Sequence, residues 1–276
     1  MSKIRNTIEL AKLSWGVLKK DRELLVLPVM SFVASLALLM PLGVAALFML
    51  NIDATASEES ATNPFVFVLG LFALLGLGVI GVFFNGALVA GAHERLVGGD
   101  PTVGSAISKA FNRISGLVPW ALLTTTVGIV LRALSERAGW LGALAIRMVG
   151  VAWEVATFLV VPAIVIDNKR AWDGVRTSSS LLKSTWGENL IARAGFGILG
   201  FVGLLPGLVI GGLLFSVGGL AMVVGIAVVI VWVASVLVVT TALSAIYQTA
   251  LYLYATTGMA PSGFNQSRLA ESIGSR

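Results

Sequence analysis

Six long apolar runs constrain this chain more than any other feature. They cover residues 24–50, 65–90, 116–134, 140–166, 190–214 and 220–246. A helix needs roughly 20 apolar residues to cross the hydrocarbon of a bilayer, and each run meets or approaches that length. Inside hydrocarbon a backbone N–H or C=O finds no water, so only a segment that closes its own bonds is tolerated. The runs therefore predict an all-α fold, a polytopic membrane helical bundle with six transmembrane helices. Composition excludes the alternative of helices buried in a soluble core, because only 12% of the residues are charged against about 25% in soluble domains. The 276 residues are read as a single membrane domain. The first run is expected to be a span, with a cleaved leader as the competing reading. Ala54-Thr55-Ala56 resembles a cleavage site, but a secretory apolar core is only about 7–15 residues long.

Between the runs one theme recurs. Amphipathic helices over residues 3–20, 102–115 and 170–187 each precede a pair of spans. In the first, Ile4, Ile8, Ala11, Trp15 and Leu18 recur at helical spacing, while Lys3, Arg5, Lys12 and Lys19 fall elsewhere on the wheel. In the second, Asp100 and Pro101 predict the helix start as N-cap and first-turn proline. Its apolar face is Val103, Ile107, Ala110, Phe111 and Ile114. In the third, Val175, Ser179, Leu182 and Trp186 share one side. Helices of this kind lie in the headgroup plane with basic residues towards lipid phosphates. The arrangement is either a threefold structural repeat or the ordinary result of six spans with cytoplasmic connections.

Charge orients the bundle. Lys and Arg gather at the N-terminus (Lys3 to Arg22), after the second span (Arg95, Lys109, Arg113) and after the fourth (Lys169, Arg170, Arg176, Lys183, Arg193). The opposite side has Arg132 and Arg137. The positive-inside rule puts both termini in the cytoplasm, with the chain multi-pass in the plasma (inner) membrane and a polar tail over residues 256–276. The net charge of +5 flanks spans, where it attracts anionic membrane lipids. Nucleic acid is not an expected partner.

Three groups of residues stand out. Arg147 and Glu154 interrupt the fourth run and form a candidate intramembrane charge pair; ionisable groups in hydrocarbon are costly and face partners or water. Seven residues apart, they share a stripe with Ala143, Gly150 and Thr157, which predicts that this stripe faces other helices. Arg176, Ser179, Ser180 and Lys183 are candidates for a lipid phosphate. Gly203, Gly207 and Gly211 recur every four residues beside Pro206, which predicts a ridge for close helix packing. Asn85 is the one amide of the second span. No catalytic or metal constellation is apparent. His93 has no second histidine at zinc-protease spacing, and the chain has no cysteine, so no metal or other cofactor is expected.

The segments LSWGVLKKDRELLVLPVMS (13–31), LRALSERAGWLG (131–142), AWEVATFLVVPAIVIDN (152–168) and TSSSLLKSTWGENLI (177–191) resemble an uncharacterised family of prokaryotic six-span integral membrane proteins, a domain of unknown function. That resemblance implies the fold and topology and brings no activity. Residues 155–190, with proline, an acidic residue and a serine-bearing helix ending in Trp-Gly, also resemble the membrane domain of glycerophosphodiester phosphodiesterases. Their catalytic domain has no counterpart in this sequence, so the likeness implies no hydrolase activity.

The expected function is non-enzymatic: a membrane protein that binds or organises lipids, or a membrane subunit of a larger assembly, with a homo-oligomer or a complex partner. The alternative is a small transporter or channel with Glu154 and Arg147 lining the pathway.

Overall fold

The computed structural model describes residues 2–53, 64–185 and 191–264 with Gln266 and Leu269. Side-chain detail covers Glu9, residues 11–49, 64–181 and 200–264, and those last two. The side chains of Ile4, Ile8, Leu182, Lys183 and Trp186, and residues 265, 267, 268 and 270–276 of the tail, lie outside the described residues.

Among the described residues the fold is all-α. The amphipathic α1 (Ser2–Lys20) leads through a short tight turn into α2 (Val26–Asp53), and α3 (Pro64–Leu96) returns. Then come α4 (Val103–Phe111), α5 (Ile114–Arg137), α6 (Trp140–Ala156), α7 (Val160–Asp167) and α8 (Ala171–Thr185). A last hairpin is formed by α9 (Ile191–Val217) and α10 (Gly219–Thr257). Counting α6 and α7 as one segment, six are long and apolar enough to cross a membrane. This is a multi-pass helical membrane bundle. α1, α4 and α8 lie at one end, called here the basic end.

Five local readings change. The helix start near residue 100 is Thr102, whose hydroxyl accepts from the Ser105 N–H while Ser105 Oγ accepts from the Thr102 N–H. Asp100 is drawn away by Arg95, 2.7 Å distant. The helix also stops at Phe111, so the reading of one element over 102–115 gives way to α4 and the first turn of α5.

On α1 the buried side is Ser14, Val17 and Leu18, and Trp15 is 40% exposed. The face read from the wheel is thus rotated towards α10, and Trp15 is left at the surface. On α8 the buried positions are Gly174 and Ser178. A Cβ at Gly174 would come within 3.1 Å of Val160, which is why α8 lies flat on α7.

The fourth segment is the largest change: a single helix over 140–166 is expected, and two helices are found. Proline has no N–H and its ring crowds the carbonyl four residues back. For Pro162 that carbonyl is Phe158, and the helix opens at residues 157–159.

The buried core sits at the basic end. It joins residues 86–92 of α3, Leu117 and Trp120 of α5, 158–165 around α7, and 245–252 of α10, with Leu18, Leu24 and Leu27 closing one side. Towards the other end the helices expose Phe48, Phe67, Leu141, Met148, Leu213 and Leu220, as lipid-facing surfaces do.

Candidate functional site

Three constructions are concentrated towards the basic end. The first closes the broken segment. Opening a helix frees backbone groups, each costing several kcal/mol if left unbonded in hydrocarbon. Here α8 and α10 supply the missing partners. Ser178 donates to the Ala156 carbonyl (2.7 Å) and accepts from the Leu159 N–H (3.0 Å). Gln248 donates its amide to the Phe158 carbonyl, the one that Pro162 leaves without a helical donor. Thr157 returns its hydroxyl to Trp153 at 2.8 Å. The aromatic rings of Phe158 and Tyr247 pack beside the break, centroids 6.4 Å apart.

The second is a frame of charged contacts. Arg95, at the end of α3, binds the carboxylate of Asp21 through both Nε and Nη2 and reaches Asp100 as well. Asp21 is buried while Arg95 keeps 24% of its side chain exposed. Next to it Glu94 accepts from Lys109 at 2.7 Å and from Ser105 at 3.1 Å, tying α3 to α4. Buried Tyr252 donates to Asp167 at 2.6 Å, joining α10 to the end of α7, and Arg113 donates to the Val165 carbonyl at 3.2 Å. Among the described residues no group of three or more histidine or acidic residues could hold a metal ion.

The third is a cavity of about 690 Å³ between α2, α3 and α10. Its walls include Phe32, Phe84, Val233 and Leu237, with Ser31, Asn85 and Thr241 as polar members. Phe32 and Leu237 are both 56% exposed, so the cavity opens sideways from the bundle. Asn85, partly buried in a wall, makes no hydrogen bond among the described residues.

The residues singled out in the sequence are placed as follows. Arg147 and Glu154 are both exposed on α6. Of the stripe they share, Ala143 and Gly150 are half-buried, Thr157 is buried, and a Cβ at Gly150 would lie 3.8 Å from Leu131 of α5. Arg176 is exposed, while Ser179 and Ser180 turn their hydroxyls back onto the carbonyls of Arg176 and Thr177 at 3.0 and 2.9 Å. Each serine has one O–H to donate, so neither keeps a donor for a phosphate in this arrangement. Lys183 lies outside the described side chains. Gly203, Gly207 and Gly211 face α10: a Cβ would meet Val236 at the first, overlap Trp232 at the second and overlap Val229 at the third. Trp232 donates to the Gly203 carbonyl at 2.8 Å. Sequence reasoning missed Ser178 and Gln248. The available signal was a polar side chain amid apolar neighbours, together with the carbonyl that Pro162 must release.

The family of unknown function DUF6159 matches residues 64–264, and the chain belongs to that family. No curated protein and no solved structure matches it. The likeness of residues 155–190 to glycerophosphodiester phosphodiesterases gains no support from these comparisons.

Proposed function

We propose that this member of DUF6159 is a non-enzymatic plasma-membrane protein that binds and organises lipids, holding an acyl chain between α2, α3 and α10. The observation that carries the reading is the apolar cavity of about 690 Å³ there. An empty cavity leaves its lining without dispersion partners, and an apolar lining gives water too few hydrogen bonds. A lipid tail is the apolar molecule at hand, and the side opening lets it enter from the bilayer. Asn85 then supplies a donor for the ester or glycerol oxygen of that lipid. The basic end faces the cytoplasm in this reading, where Lys and Arg attract anionic lipid; cysteines at Ser108 and Ser180 would label only after permeabilisation, and one at Ser216 from outside.

The test uses two glycines of α3 at which a Cβ would meet nothing within 4 Å: Gly81 lines the cavity and Gly70 does not. Native mass spectrometry in mild detergent should find lipid retained by the wild type and by Gly70→Trp, and lost from Gly81→Trp. Equal retention by both variants contradicts the proposal.

A transporter or channel is the second reading, favoured by the broken fourth segment, since interrupted helices often form substrate sites. Here Ser178 and Gln248 occupy the freed backbone groups. Arg147 and Glu154 are both exposed on α6.

A further inference from the structure

We infer that a separate cavity at the basic end, between α1, the end of α3 and the C-terminal turn, binds a phosphate-bearing anion. The cavity holds about 220 Å³ and is lined by Lys12, Gly16 and Lys20 of α1, by Arg95, and by Ser262 and Gly263. Among the described residues no carboxylate lines it. It shares no residue with the cavity between α2, α3 and α10, and the two proposals stand separately.

The donor set is what a tetrahedral oxyanion requires. Lys12, Gly16 and Lys20 follow one another at four-residue spacing, so they line one side of α1. Gly16 leaves the floor open: a Cβ there would meet no atom within 4 Å. Both lysines are exposed, and neither makes an ion pair among the described residues. Arg95 is held by Asp21 and Asp100 through Nε and Nη2, which leaves Nη1 unused. Those two carboxylates offset the Arg95 charge, so the excess positive charge comes from the lysines. A guanidinium locked by two acids is also a fixed donor, losing little freedom when an anion binds.

The far wall is equally fixed. The Ser262 N–H donates to the Leu96 carbonyl at 3.2 Å, which anchors the turn on the end of α3. Gly263 has φ +88, a backbone conformation suited to glycine, and a Cβ there would come within 3.2 Å of Val17. The Ser262 hydroxyl makes no hydrogen bond among the described residues. Lys12, Lys20, Arg95 and Ser262, with Leu13 and Val17 beside them, thus line one small space. Charge-assisted bonds of this kind are the strong ones for phosphate.

The phosphate has two sources, a lipid headgroup or a soluble phosphate ester, and one experiment separates them. Full-length protein in neutral detergent is followed by thermal unfolding during two titrations at constant ionic strength. One uses inorganic phosphate; the other uses phosphatidylglycerol in mixed micelles, with phosphatidylcholine as the uncharged control. We expect phosphatidylglycerol, inorganic phosphate or both to raise the midpoint of the wild type. The apparent affinity should fall about tenfold or more in Lys12→Gln with Lys20→Gln, since bonds to charged groups are lost. Gly16→Leu, which fills the floor and keeps every charge, should weaken binding as much. A response to phosphatidylglycerol alone assigns the site to a headgroup; a response to phosphate assigns it to soluble esters as well. Gly81→Trp should leave the phosphate response unchanged. A wild type that responds to neither anion overturns the inference, as does a lysine variant that binds like the wild type. So does a Gly16→Leu variant of undiminished affinity, which would mean diffuse attraction to a basic face.

Discussion

The half of the bundle at the basic end and the half at the opposite turns are built from similar residues but held by different means. At the basic end the helices are joined by Arg95–Asp21, Glu94–Lys109, Tyr252–Asp167, Gln248 on the Phe158 carbonyl and Ser178 on the broken segment. In the other half the described contacts between helices are mainly apolar, among them the ridge of Gly207 and Gly211 against Trp232 and Val229. Lipid tails are as apolar as leucine, so hydrophobic burial does not itself drive helices together in a bilayer; packing and polar contacts do. Where such contacts are dense the core closes. Beside that core, where such contacts give out, the helices part, and the 690 Å³ cavity lies at this border, with Leu88 belonging to both.

Breaking the frame should have the largest effect. Arg95→Met leaves the buried Asp21 carboxylate without its partner, a loss of about 3 kcal/mol, at the low end for a buried pair because Arg95 is partly exposed. Thermal unfolding in detergent should show it, and adding Asp21→Asn should recover much of the loss.

The bridge to the broken segment comes next. Gln248→Leu removes the donor to the Phe158 carbonyl and should cost about 2 kcal/mol, the penalty of an unsatisfied buried acceptor. Pro162→Ala restores a backbone N–H four residues on from Phe158, so Gln248→Leu should cost less in that background. A cost unchanged by Pro162→Ala would separate the two residues and undo the explanation of the break.

The open half should respond least, and only at its ridge. Gly207→Leu meets Trp232 and should destabilise by about 1–2 kcal/mol, as overpacking does. Gly212→Leu on the same helix, where a Cβ meets nothing within 4 Å, should be near neutral. Equal effects of the two would remove the ridge as a distinct contact.

The legible part of this structure is the part set by local period. Six apolar runs and three amphipathic stretches follow from residue spacing, and the fold class follows from them. What spacing does not carry is which partner an element meets. The rotation of α1 that buries Ser14 and exposes Trp15 depends on α10, more than 200 residues away in the chain. Asp100 fails as an N-cap because Arg95 holds it, and Thr102 takes the role. Arg147 and Glu154 share one stripe by sequence, yet both are exposed while Thr157 of the same stripe is buried. The proline signal at Pro162 was readable, but the consequence lies at Phe158 and is completed by Gln248, 90 residues on.

In the proposed function a lipid tail completes the bundle where its own packing stops. Photolabelling tests it most directly, using full-length protein in bilayers that contain a phospholipid with a diazirine on its acyl chain. Peptides are then mapped by mass spectrometry. The claim predicts that labelling concentrates on the cavity wall, at Phe32, Phe84 and Leu237, above the outward-facing Phe67 and Leu220, and that Gly81→Trp abolishes the excess. Uniform labelling of all lipid-facing positions, unaffected by Gly81→Trp, would contradict it.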